Sequence, residues 1–166
     1  MKQTGMPKTD FRVGNKKMIM AKKAESKSVG NKNPISLGKD GPFIDFKIPE
    51  EKLQDDIKIS IEIELLDEGW KFDSDHIVTI QGNTEDLYND DEAPEELSIG
   101  TGEEITGKKF RTFSRIRRIR DGASDNIPSR VKFTLTFFAG DSQLDEFTKT
   151  CDKTNPENFI TNIKFK

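Results

Sequence analysis

Between Ile57 and Leu65 the chain reads Ile-Lys-Ile-Ser-Ile-Glu-Ile-Glu-Leu, with five large aliphatic residues separated by Lys58, Ser60, Glu62 and Glu64. A strict period of two puts all five aliphatics on one face of a β-strand, whereas a helix would scatter them around its axis. Such a strand belongs to a sheet packed on a core on one side and wet on the other. A second strand is expected at Val131–Phe137, where Val131, Phe133, Leu135 and Phe137 share a face and Ala139-Gly140-Asp141 closes the run. Shorter candidates are 43–48, in which Phe46 and Ile48 share parity, then 76–81, 147–151, and 159–165 with Phe159, Thr161, Ile163 and Phe165 on one side.

Gly, Pro, Asn and Asp punctuate these runs, and helical options are confined to Glu50–Asp55, which is too short to matter, and the basic run 108–120. Many short strands joined by turns predict an all-β fold, an antiparallel β-sandwich whose jelly-roll or Ig-like topology is left open. A partly open β-barrel is the runner-up. No internal repeat at a fixed period is present.

With 166 residues, 32% of them hydrophobic and 34% charged, the chain buries a modest core and suits one domain. The expected division is a basic N-terminal arm over residues 1–33, flexible or ordered by a partner, and a single sandwich over 34–166. An acidic loop is expected at about 82–104. Within the arm, Met18-Ile19-Met20 is the one apolar cluster able to dock on anything. Such a segment cannot offset its own ordering entropy.

The net charge of −3 conceals strong segregation. Residues 1–33 carry nine basic and two acidic side chains, residues 67–104 thirteen acidic and one basic, and residues 105–120 seven basic and none acidic. The last block contains Lys108, Lys109, Arg111, Arg115, Arg117, Arg118 and Arg120, with Phe110, Phe113, Ile116 and Ile119 at every third position. That spacing fits neither a helix nor a regular strand, and a strand with a bulge near Ser114 would keep one face apolar. The favoured reading pairs these arginines with the acidic segment, within the chain or across a subunit contact. The alternative is phosphate binding by the arginine forks with Phe110 and Phe113 stacking on bases, assisted by Lys16, Lys17, Lys22 and Lys23 of the arm.

Catalytic and metal constellations are thin. One cysteine, Cys151, and one histidine, His76, cannot build a Cys/His zinc site, and Cys151 is expected to be a passive, partly buried thiol. His76, beside Asp75 at the start of a predicted strand, is expected to face solvent. No triad can be assembled around it. The acidic run lacks the spacing of a calcium loop, and Gly100-Thr101-Gly102 lacks the downstream glycine of a phosphate loop. Trp70 is expected to anchor the edge of the sandwich rather than to stack on sugar.

No apolar run is long enough to span a membrane, and no secretory h-region is evident. The resulting expectation is a non-enzymatic assembly protein without cofactor or metal, such as a virion or appendage component. Its partners would be copies of itself or another structural subunit, and it would reside in the cytoplasm or in a particle made there. A single-stranded nucleic-acid-binding module is the alternative.

Overall fold

In the computed structural model the described residues are Ile35, Leu37, 42–119, 130–151 and 157–166. The arm at 1–33, with Lys16, Lys17, Lys22 and Lys23, and Arg120 lie outside them. The alternation at 57–65 forms the middle of an antiparallel sheet, and among the described residues there are nine strands: β1 (Ile44–Phe46), β2 (Asp56–Leu65), β3 (Lys71–Ile80), β4 (Tyr88–Asp90), β5 (Leu97–Thr101), β6 (Lys109–Ile119), β7 (Val131–Ala139), β8 (Ser142–Cys151) and β9 (Glu157–Phe165). One five-stranded sheet has the order β1-β9-β6-β3-β4 and one four-stranded sheet the order β5-β2-β7-β8. Every strand pair is antiparallel except β1 with β9. The two sheets do not close into a barrel, so the sandwich expectation holds and the runner-up does not.

The core lies between the sheets and is densest around Phe137. Its ring centroid is 5.0 Å from that of Phe46, 5.7 Å from Phe110, 5.9 Å from Phe147 and 5.9 Å from Phe165. Tilted and edge-on arrangements dominate this cluster, as the ring quadrupoles favour. Further along, Phe133 stacks on Phe159 with centroids 5.0 Å apart. On β2, Ile57, Ile59 and Ile61 are buried, while Ile63 and Leu65 on the same face are half-buried because β5 covers that edge of β2 only as far as Ile59, although their β7 partners Phe133 and Val131 stay buried.

Local chemistry sets the connections. Gly140 has φ +56° at the first position of the two-residue loop between β7 and β8, the geometry of a hairpin turn that glycine adopts without strain. Thr101 caps the single helical turn α1 (Gly102–Ile105) with a capping box, its hydroxyl accepting from the Glu104 N–H while the Glu104 carboxylate accepts from the Thr101 N–H. Donation from the Thr101 backbone N–H, with a further contribution from the Thr101 side chain, holds the Glu104 carboxyl below its usual range.

Several expectations are corrected. β6 runs without a bulge, in continuous register with β3 and β9, so the kink expected near Ser114 is absent. A regular strand there is possible because its inward face accepts Thr112, Ser114 and Arg118 beside Phe110 and Ile116. The acidic stretch read as a loop carries β4, β5 and α1. β3 starts five residues earlier than expected and β8 likewise, since polar side chains on an outward face do not interrupt a ladder. Residues 50–52 form one turn of 3-10 helix. Among the described residues no helix is long and apolar enough to cross a membrane.

Candidate interaction surfaces

Parity divides the basic run. Lys109, Arg111, Phe113, Arg115, Arg117 and Ile119 face outward from the five-stranded sheet, whereas Phe110 and Arg118 face the interior. Arg118 is only 5% exposed and Phe110 is fully buried, so neither can meet a ligand at the surface as the stacking reading required. The outward arginines lie opposite polar partners. Arg117 forms an ion pair with Asp73, Arg115 is directly across from Asp75, and the Arg111 Nε donates to Asn162 Oδ1 at 2.7 Å. Lys109 sits with its ammonium 4.9 Å from the centre of the Phe43 ring and donates to the Leu37 carbonyl at 3.4 Å. Lys108 precedes β6, its N–H donating to the Ile105 carbonyl.

Between these charged rows runs an apolar one. Ile77 on β3, Phe113 on β6 and Ile160 on β9 are in register, with Ile160 54% exposed. This row and its flanking arginines form the outer face of the sheet.

On the inner side of β3 and β6, His76 is wholly buried, which corrects the solvent-facing expectation. The reason is the extra length of β3, which places His76 in mid-strand directly opposite Ser114. His76 Nδ1 lies 2.8 Å from Ser114 Oγ, and Nε2 has no hydrogen-bond partner among the described residues. Burial pushes the His76 pKa down, opposed by the charges of Asp75 and Asp90. One histidine and one serine without a third group do not reproduce a triad. Among the described residues no three carboxylate, histidine or thiol groups converge as metal ligands would. Cys151, the single cysteine of the sequence, is half-buried at the end of β8.

Among the described residues, grooves flank the core, and two of them concern the sheet edges. One, of about 650 Å³, lies between β8 and β9 and is lined by Pro42, Ile44, Phe133, Phe147, Phe159 and Ile160 among others. The other, of about 920 Å³, separates β2 from β3 and is rimmed by Glu62, Asp73, Asp75, Asp91, Glu92 and Glu95. Arg115 and Arg117 stand on one wall, and Ile61, Ile63 and Phe72 form the apolar floor. At this groove both strands present open edges. β4 pairs with β3 only over His76–Val78, and β5 pairs with β2 only over Asp56–Ile59, followed by one bond from the Ile61 N–H to the Pro94 carbonyl.

Sequence reasoning missed both grooves. Their linings come from segments distant along the chain, and the only local signal was the concentration of acids at 67–104. The chain matches no protein-family model, no curated protein and no solved structure in the three comparisons made.

Proposed function

We propose that this chain is a non-enzymatic structural subunit that works by protein–protein contact, of the kind from which virions or appendages are assembled. The observation that carries this reading is the acidic groove between two open strand edges. Unpaired edges are templates for another strand, and proteins that remain single usually cover or blunt them. The basic arm supplies charge of the opposite sign on the same chain, and complementary patches at different places make head-to-tail contacts that close into rings or continue as lattices.

The pairing of Arg117 with Asp73, and the placement of Arg115 across from Asp75, favour this over polyanion binding, because carboxylates beside the guanidiniums repel phosphate. Light scattering of the purified protein at low and high salt tests the reading. A multimer that dissociates as salt rises, with no nucleic-acid absorbance, is the expected outcome. A monomer at micromolar concentration in low salt overturns it.

A second reading, a single-stranded nucleic-acid-binding module, draws on the Ile77–Phe113–Ile160 row flanked by Arg111 and Arg115. It requires oligonucleotide affinity to fall with salt, by about 0.7 in log K per log unit of salt for each phosphate contacted. Absence of oligonucleotide binding at low salt removes it.

A further inference from the structure

We infer that the acidic groove between β2 and β3 receives residues 16–23 of a second copy of the chain, an inference that rests on the assembly reading above. Three features define the occupant. The groove is rimmed by six carboxylates against two guanidiniums, one of which is already paired with Asp73. A nucleic acid is therefore repelled and a basic polypeptide attracted.

The floor is apolar, with Phe72 38% exposed and Ile63 half-buried. The occupant must then carry apolar side chains between its cations. The open edge of β3 over Phe72–Asp75 and that of β2 beyond Ile61 offer backbone hydrogen-bonding groups, which suit an extended segment added as a strand.

Residues 16–23 read Lys-Lys-Met-Ile-Met-Ala-Lys-Lys, with two lysine pairs bracketing four apolar residues. Extended, eight residues span about 26 Å, enough to run the length of such a groove and place both lysine pairs on its rim. Methionine side chains are flexible and polarisable and adapt to an irregular floor such as that between Ile63 and Phe72. The other basic block of the chain is built into β6, its backbone paired with β3 and β9, and cannot be donated as a free strand. Because groove and donor segment are different parts of one chain, each copy can receive one arm and give another, the heterologous geometry that propagates an assembly.

The test uses the full chain and its charge-reversed variants, with mass read by light scattering and sedimentation in low salt. One variant reverses the donor (K16E, K17E, K22E, K23E) and one reverses the rim (E62K, E92K, E95K), where all three side chains are exposed. Each is expected to weaken self-association by about tenfold or more, and the variant carrying both sets is expected to regain it, since the pairs are restored with opposite sign.

A wild-type multimer whose mass neither set changes overturns the groove assignment and leaves the assembly reading standing. A wild-type monomer at every salt concentration overturns both. A wild-type monomer in which the donor reversal deprotects β3 amides to hydrogen exchange places the segment on its own copy and overturns the second-copy assignment. The donor variant leaves every residue of β1 to β9 unchanged, so its result counts even if the rim variant fails to fold.

Discussion

The two ends of the sandwich are built by the same strands and differ in how they are finished. At the end holding Phe137, the rings of Phe46, Phe110, Phe147 and Phe165 surround it and Ile57 and Ile59 are fully buried. Nearby, α1 packs so tightly on the 3-10 turn at 50–52 that a Cβ on Gly102 would stand 2.9 Å from the Leu53 Cα and from the Lys52 carbonyl oxygen. At the other end, Ile63 and Leu65 continue the alternation of β2 yet stay half-buried, and the facing stretch of β3 turns Ser74 and His76 inward. Identical patterning along β2 therefore yields a sealed core where β5 covers its edge and an acidic cleft beside Ile63 where β5 has ended, although Phe133 and Val131 on the neighbouring β7 stay buried there. Burial depends on what the opposite sheet supplies, not on the strand that carries the aliphatics.

The largest effect should come from the sealed end. Phe137→Ala removes the ring that four others contact and is expected to cost about 3–5 kcal/mol in urea unfolding. A loss below about 1 kcal/mol would mean that the cluster does not organise the core.

A paired measurement sharpens the contrast directly. Ile59→Ala should cost about 2–5 kcal/mol, whereas Ile63→Ala, on the same strand and face, should cost roughly half as much because less of the side chain leaves water on folding. Equal losses would show that the cleft is closed in solution.

The histidine at the centre of β3 predicts a pH dependence. Its folded pKa lies below the ordinary value, so in acid the unfolded chain binds a proton that the folded chain resists. Stability is present above about pH 6.5 and falls as pH drops from there toward the depressed folded value. The urea midpoint should decline as pH falls below about 6.5, and His76→Leu should flatten that decline. An unchanged slope in the variant would assign the dependence to other groups.

The smallest effect belongs to the outer face. Arg117 and Asp73 are both more than half exposed, and Arg117→Ala should cost no more than about 1 kcal/mol by the same unfolding assay. A larger loss would give that ion pair a structural role beyond surface complementarity.

Legibility followed physical scale. The strands at 57–65, 131–137 and 159–165 were readable because each buries one full face, and burial leaves a period of two in the residue types. The start of β3 was not readable, because Asp73 and Asp75 resemble a turn until their cross-strand neighbours Arg117 and Arg115 are known. The same register explains β6. Its period of three looked like a broken strand because one face was expected to be wholly apolar, and the inward face of β6 proved able to take Thr112, Ser114 and Arg118 beside His76 of β3.

The amino-acid order by itself determined the all-β class, the two-layer arrangement and the separation of charge into blocks. Alternation and composition act over a few residues, and the hydrophobic effect converts them into faces whatever their final neighbours. Only the tertiary structure decided that the basic run is split between surface and interior, that His76 is buried against Ser114, and that the acids gather beside two open strand edges. Those outcomes rest on register and on which sheet ends where, contacts between residues tens of positions apart that no local pattern encodes.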